Sequence, residues 1–174
     1  MIHHKIAQFQ LVAAMNPCPC GYHGDLSGRC RCSPDRVRSY QGRISGPLLD
    51  RLDLHIEVPA LAEGELTADP VATESSAQVR ERVEMARSKQ LQRRGKLNSQ
   101  LSGREVEHDC DLNRDDRMLM EQALIRLGLS ARAYHRVLRV ARTLADLAGV
   151  EKVRQADLLE SLSYRKQERG QGTG

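Results

Sequence analysis

The sequence predicts a short α/β segment, with two strands and a cysteine-rich loop, followed by an all-α bundle of four to five helices. Three observations support this fold class. Two short apolar runs in the first 60 residues are each closed by a proline, as strands often are. Four of the five cysteines fall within fifteen positions between these runs. From residue 76 to about residue 166, capping residues and apolar residues recur at helical spacing.

The composition is that of a globular protein with an aliphatic core. Of the 174 residues, 40% are hydrophobic and 29% are charged, whereas only 3% are aromatic and none is tryptophan. The formal net charge of +4 permits an anionic partner without identifying one. The sequence contains no run of eighteen apolar residues and no signal-peptide layout. We therefore expect a cytoplasmic protein with no membrane partner, in which disulfides are disfavoured.

The first domain is predicted over residues 1–60. Its first strand is residues 9–14, "FQLVAA", which Pro17 closes. One or two helical turns fit residues 34–40, and a Gly-Pro break with a short amphipathic turn follows in "RISGPLLDRLD". The second strand is residues 54–58, "LHIEV", which alternates and stops at a proline. Two strands with a crossover between them suggest part of a parallel sheet.

The helical domain is predicted over residues 76–166, after a polar linker at 61–75 and before a disordered tail at 167–174. Ser75 or Ser76 caps a helix that runs to about Arg94, and residues 101–108 form a short helix or turn. Two further caps divide most of the rest: Asn113 begins a helix that Gly128 ends, and Ser130 begins a helix that runs to Leu147. A final helix is predicted over residues 154–165.

The cysteine-rich loop holds two Cys-x-Cys pairs with nine residues between them. Four thiolates can complete a tetrahedral zinc site, and the three glycines of the loop allow tight turns. Unbound reduced thiols and disulfides are the alternatives. Since such a zinc site has no open position, its role would be structural. The candidate ligands are Cys18, Cys20, Cys30 and Cys32, with His23 expected to be solvated and Cys110 expected to be a small buried hydrophobe.

The longest motifs are "FQLVAAMNPCPCGYHGD", "CRCS", "YQGRISGPLLDRLDLHIEV" and "SARAYHRVLRVARTLADL". In this order they resemble the C-terminal part of the bacterial magnesium-chelatase-like AAA+ ATPases, the YifB/ComM family. The resemblance covers residues 9 to about 165. It implies an α/β fragment of an AAA+ P-loop ATPase core, consisting of the two strands and the Cys-rich loop, followed by an all-α lid.

The resemblance also implies roles for particular residues. Asn16 matches the sensor 1 asparagine, whose amide orients the attacking water or binds a γ-phosphate oxygen. Arg51 matches the arginine finger that reaches the nucleotide site of the next subunit, and Arg43 is the alternative finger. Without the resemblance, Asn16 would be interpreted as a residue that opens a turn, and Arg51 as one partner of a surface salt bridge with Asp50 or Asp53.

Arg132 matches sensor 2, which contacts the γ-phosphate from the lid. Helical periodicity places Arg132, Arg136 and Arg139 on one face, and residues 130–143 contain no acidic side chain. A solvated basic face is the common meaning of such a row. A cationic face beside an apolar one is also what a lid presents to a polyphosphate, so Arg136 and Arg139 are predicted to support nucleotide binding.

The sequence lacks a phosphate-binding loop of the form G-x4-G-K-S/T and an apolar strand ending in Asp-Glu. We therefore expect a C-terminal fragment that does not hydrolyse ATP alone. By resemblance, the whole protein is a hexameric ATP-driven DNA motor, a branch-migration helicase of natural transformation that uses ATP and Mg²⁺. Without the neighbouring strand of an AAA+ core, residues 1–60 are expected to be loosely ordered unless zinc holds them together.

Two other functions remain open at this point. One is a stand-alone zinc-binding nucleic-acid module, in which the basic helix between Gln78 and Lys96 contacts phosphates. The other is a magnesium chelatase-type metal-insertion subunit, for which the sequence offers no tetrapyrrole or magnesium-delivery feature.

Overall fold

The structure, a computed structural model, describes residues 9–25, 28–59 and 74–165. The chain divides into two compact units, residues 1–46 and 47–174. The predicted tail lies outside the described residues, as does the linker up to residue 73, and the functional division near residue 60 stays a prediction. The helices within the described residues are α1 (Pro34–Gln41), α2 (Gly46–Leu49), α3 (Ser76–Arg94), α4 (Gly103–Cys110), α5 (Arg114–Leu127), α6 (Ala131–Leu147) and α7 (Gln155–Ser163), with a 3₁₀ turn at Asn98–Gln100.

The prediction of two strands was wrong. Residues 9–14 and 54–58 are described, and neither run forms a strand. Their bulky side chains are exposed, to 84% at Val12 and 85% at Val58. A strand is stable only when its amides and carbonyls pair with a neighbouring strand. These two runs of five and six residues do not pair with each other or with a third strand among the described residues.

The first unit is organised around α1 and the loop that precedes it. Ser33 caps α1 by accepting a hydrogen bond from the Arg36 amide at 3.3 Å, and Pro34 begins the helix. At the other end of α1, the Gln41 side-chain amide donates to the carbonyl of Pro17 at 3.0 Å. The helix predicted at residues 34–40 is confirmed, and it is fixed to the start of the cysteine-rich loop.

The helices of the second unit begin at the predicted caps. Ser75 forms a capping box with Gln78, and Ser130 accepts from the Ala133 amide at 3.3 Å. Asn113 accepts from the Asp116 amide at 2.8 Å. Gly128 ends α5 at φ 54°, a conformation that an L side chain resists. These local predictions are confirmed, and within the described residues no helix is both long and apolar enough to cross a membrane.

Helix α6 is the centre of the second unit and packs against α3, α4 and α7. Its buried face meets a core whose buried residues, within the described part of the chain, include no aromatic ring, and the half-buried Tyr134 packs against that core. Cys110 is part of that core, 2% exposed, and burial raises the pKa of its thiol to about 12. The core residues are Leu101, Val106, Cys110, Leu112, Met120, Val137, Leu138, Ala141, Ala145, Val153, Leu158 and Leu162.

A buried ionic network crosses this core. Arg142, 1% exposed, donates to the Asp146 carboxylate at 3.0 Å and to the carbonyls of Val150 and Glu151 at 3.1 and 2.7 Å. Asp146 also accepts from Arg93 and from the Asn98 amide. The network therefore joins α6 to α3, the 3₁₀ turn and the loop that follows α6.

A second ion pair joins α3 to α4 and makes the bundle acid-sensitive. Burial raises the pKa of Asp109, but hydrogen bonds from Arg94 outweigh it and hold that pKa below its ordinary value. The Arg94 Nε lies 2.8 and 2.9 Å from the two Asp109 carboxylate oxygens. Since the folded-state pKa is the lower one, this stabilisation is complete above about pH 5 and is lost as the pH falls towards the lowered value.

We expect Asp109→Asn to lower the unfolding free energy by about 1.5–3 kcal/mol near pH 7, because the variant loses charge-assisted hydrogen bonds. We also expect the variant to lose less stability than the wild type between about pH 5 and pH 2. Urea unfolding followed by circular dichroism across this range measures both effects. Glu121→Gln, at an exposed position of α5, is the matched control. Equal acid sensitivity of Asp109→Asn and the wild type would contradict the assignment.

Candidate functional site

The four predicted metal ligands come together in the first unit. The sulfur atoms of Cys18, Cys20, Cys30 and Cys32 all lie within 4.8 Å of one another, and none of these cysteines forms a disulfide. The Sγ atoms of Cys18 and Cys20 are 3.2 Å apart, and Cys30 Sγ lies 3.9 and 3.7 Å from them. His23 is exposed and is not part of the cluster.

These separations fit a tetrahedral metal site. With metal–sulfur bonds of about 2.3 Å, the sulfur atoms of a ZnS₄ tetrahedron lie about 3.8 Å apart. A disulfide needs about 2.05 Å, so the cluster has the spacing of metal ligands. The loop reaches it through turns at Gly21, Gly24 and Gly28, which have φ of 84°, 84° and 64°. The cluster can therefore hold a metal ion with four protein ligands.

Backbone amides donate to these sulfurs despite the short Cys-x-Cys spacing. Burial raises the pKa of Cys18, but hydrogen bonds from the Cys20 thiol and from the Cys20 and His23 amides lower it to about 6. The amide of Tyr22 likewise lowers the pKa of Cys20. For Cys30 a backbone amide also lowers the pKa, yet burial and the neighbouring thiols raise it to about 11. A bound cation is what would let all four thiols ionise together at neutral pH.

Asn16, the predicted sensor 1 residue, lies beside this loop. Its side chain is exposed and covers Gly21, where an added Cβ would lie 3.8 Å from the Asn16 amide nitrogen. Arg43, the alternative finger, lies in the same unit with its Cζ 5.9 Å from the centre of the Tyr40 ring.

Arg51, the predicted finger, lies in the second unit and is exposed. Its guanidinium donates to the carbonyl of Pro47 at 2.9 Å, one helical turn back in the chain. The salt bridge considered from the sequence, from Arg51 to Asp50 or Asp53, is not among the described contacts. Asp53 pairs instead with Arg136 at 2.8 Å and lies 4.0 Å from Arg165.

The three arginines of the predicted basic face of α6 differ in their surroundings. Arg132 is exposed in the first turn, and no described contact involves its guanidinium. Arg136 donates to the Asp53 carboxylate and to the carbonyl of Arg51. Arg139 donates through two nitrogens to the carbonyl of Leu101, at 3.0 and 2.7 Å. Only Arg132 therefore presents a guanidinium with no described partner.

From the sequence alone we did not identify the carboxylate that pairs with Arg136, or the buried arginines Arg142 and Arg165. Asp53 precedes Arg136 by 83 residues, so no local pattern joins them. Arg165 is 2% exposed and lies near Asp53. The burial of Arg142 could have been predicted from the sequence, because the apolar residues Leu138 and Ala145 lie four positions before it and three positions after it. Asp146, four residues further along α6, is placed to form an ion pair with it.

Comparisons with known proteins match two regions of this chain to one protein family. A family model described as "Magnesium chelatase, subunit ChlI C-terminal" matches residues 73–165, which include α3 to α7. A second, "Magnesium chelatase, subunit ChlI", matches residues 3–66, which include the cysteine cluster. The chain therefore belongs to the magnesium chelatase ChlI family, an AAA+ ATPase-like family.

Within this family the chain is ComM- and YifB-like. It is 50% identical over 159 residues to competence protein ComM of Haemophilus influenzae, and 46% identical over 160 residues to uncharacterized protein YifB of Escherichia coli. It is 38% identical over 164 residues to uncharacterized protein Mb2921c of Mycobacterium bovis. The matches cover 91–92% of this chain but span only 31–32% of the length of these relatives.

Proposed function

We propose that the chain is the C-terminal sensor and lid portion of a hexameric AAA+ ATPase. The whole protein is proposed to be an ATP-driven DNA motor, a branch-migration helicase that acts in natural transformation. The observation that carries the proposal is that family models for both ChlI regions match a chain that lacks a phosphate-binding loop. The name of the Haemophilus relative, a competence protein, supports the role in transformation. The DNA substrate rests on family resemblance.

The position of Arg132 supports a sensor 2 role. Arg132 is the second residue of α6, whose first turn carries no acidic residue and is capped by Ser130. The free amides of a helix N-terminus favour anions, and an exposed guanidinium there adds a full positive charge and a planar donor set. An ATP γ-phosphate is the anion that such a position would bind from a lid.

Asn16 and Arg51 are proposed to act on the reacting phosphate. The exposed amide of Asn16 can donate to a phosphate oxygen or orient water, and the exposed guanidinium of Arg51 can neutralise charge in a neighbouring subunit. Arg43 is retained as the alternative finger. The residues that would hold Mg²⁺ and the phosphates of ATP are absent from this sequence, so the chain contributes sensors and a finger.

The cysteine cluster is proposed to bind one structural Zn²⁺ through Cys18, Cys20, Cys30 and Cys32. The sulfur spacing supports this choice, since the separations of Cys30 Sγ from Cys18 and Cys20, 3.9 and 3.7 Å, are close to the edge of about 3.8 Å in a ZnS₄ tetrahedron. Four protein ligands leave no position for a substrate or water. The zinc would fix the loop between Asn16 and α1, and thereby the position of Asn16.

The test is ATP hydrolysis by the protein expressed from the whole gene. We expect Arg51→Ala to lower kcat by about 10³-fold or more, as removal of an arginine finger does, with ATP affinity nearly unchanged. We expect Arg132→Ala to weaken ATP binding. Arg126→Ala, at an exposed position of α5, is the control and should behave as wild type. Absence of hydrolysis in the wild type, or an Arg51→Ala variant within twofold of it, would overturn the proposal.

A zinc-dependent nucleic-acid module is the second candidate, and the cysteine cluster in a separate compact unit favours it. The basic helix between Gln78 and Lys96 gives this second candidate less support. Arg93, Arg94 and Lys96 are already paired with carboxylates, and Arg82 pairs with Glu74. The discriminating experiment is DNA binding by this chain alone as a function of salt. Strong binding that zinc chelation abolishes would favour the module over the motor.

A further inference from the structure

The structure places Arg136 against the backbone that carries Arg51. Arg136 Nη1 donates to the carbonyl oxygen of Arg51, and it also lies 2.8 Å from the Asp53 carboxylate. The Arg136 side chain is 21% exposed, so most of its surface is covered. Since the acceptors are a carbonyl and a carboxylate on either side of residue 52, the contact fixes the backbone position of Arg51.

Two further contacts hold the same segment on the helical bundle. The amide of His55 donates to the carbonyl of Tyr164 at 3.0 Å, just beyond the end of α7. Arg165 Nη2 lies 4.0 Å from the Asp53 carboxylate. The segment around Arg51 is therefore attached to α6 and to the end of α7, and a movement of α6 would be transmitted to it.

Helix α6 carries both Arg132 and Arg136, one helical turn apart. A helix transmits displacement along its axis because each turn is hydrogen-bonded to the next. Arg132 is exposed at the start of α6, whereas Arg136 is occupied by the segment of residues 51–53. One rigid element thus connects the proposed nucleotide sensor to the proposed finger.

We infer that Arg136 is a positioning residue that couples the nucleotide state sensed by Arg132 to the placement of Arg51 in the neighbouring subunit's site. This inference rests on the proposed function. It replaces the sequence expectation that Arg136 binds phosphate, because its guanidinium already has a carboxylate and a carbonyl as acceptors. Binding of phosphate by Arg136 would leave Asp53 without its 2.8 Å partner and would release the backbone of Arg51.

The experiment uses the whole-gene protein with Arg136→Gln, Asp53→Asn and the double variant. We expect both single variants to lower kcat by about tenfold to a hundredfold, as misplacement of a catalytic group does, with the Kd for ATP within about twofold of wild type. The double variant should be no worse than either single variant, because the residues act through one contact. Arg136→Lys should restore part of kcat.

Two further measurements separate positioning from general loss of structure. Hydrogen exchange of the His55 amide should accelerate in Arg136→Gln and in Asp53→Asn, while core amides of α6 stay protected. Arg126→Gln should change neither kcat nor exchange. Asp53→Asn alters an exposed side chain and leaves Arg136 in place, so it keeps the test valid if Arg136→Gln does not fold.

The outcomes distinguish this inference from the proposed function. Wild-type kcat in Arg136→Gln, when Arg51→Ala is inactive, overturns the coupling alone. A raised Kd for ATP in Arg136→Gln, equal to that of Arg132→Ala, overturns it in favour of phosphate binding. An inactive wild type, or an active Arg51→Ala variant, overturns the proposed function and this inference with it.

Discussion

Replacing Arg142 with methionine is expected to lower the unfolding free energy of the helical unit by about 3–5 kcal/mol. Removal of one partner of a buried ion pair usually has an effect of this size, and here Asp146 would keep Arg93 as its cationic partner. Asp146 would lose its 3.0 Å contact, and the carbonyls of Val150 and Glu151 would lose their donor. Since whole domains are stable by about 5–15 kcal/mol, this single change approaches the limit of folding.

Urea unfolding of the chain followed at 222 nm by circular dichroism measures this effect. Arg126→Met is the matched control, because it makes the same chemical change on an exposed surface of α5 and should shift the free energy by less than about 0.5 kcal/mol. A double variant, Arg142→Met with Asp146→Leu, should recover part of the loss, since the buried Asp146 carboxylate is then removed as well and Arg93, which loses its partner, is partly exposed to solvent. Equal unfolding curves for Arg142→Met and Arg126→Met would refute the role of the network.

The double variant Cys18→Ser/Cys30→Ser is expected to lose a zinc ion that the wild-type chain binds in a one-to-one ratio. Binding of a structural zinc contributes about 10–16 kcal/mol of apparent free energy in small domains, so the first unit should lose its order with the metal. The second unit should keep its helices, because its core is separate from the cluster. Elemental analysis gives the stoichiometry, and amide hydrogen exchange of residues 16–43 gives the order.

Cys110→Ala is the control for the cysteine variant. It removes a thiol that is buried in the helical core and lies outside the cluster, so zinc stoichiometry should stay at one. A wild-type chain that contains no zinc, whose four loop thiols react freely while residues 16–43 remain protected, would show that hydrogen bonds alone organise the loop.

The helical unit was predictable because its signals are local. A Ser or Asn cap, a first turn free of breakers and a closing glycine act within a few residues, so Ser75, Asn113, Ser130 and Gly128 were sufficient to place α3, α5 and α6. The strands failed for the opposite reason. An apolar run such as residues 54–58 specifies a strand only if another strand lies beside it, and that information is not contained in the run.

The candidate site was predictable in part. Clustering of four cysteines within fifteen positions was enough to predict that their sulfurs meet, since a short loop with glycines can bring them together. The basic face of α6 was predicted as one set, but the structure gives its members different contacts. Asp53 engages Arg136 and Leu101 engages Arg139, and both partners are far away in sequence.

The exposed apolar runs also bear on how the isolated chain is expected to behave in solution. Phe9 and Ile56 are 80% and 66% exposed, in runs whose side chains favour β-structure but which form no strand. A segment outside any sheet that exposes bulky apolar side chains of high β-propensity is a site for intermolecular pairing. We therefore expect these runs to limit the solubility of the chain and to promote self-association as the protein concentration rises.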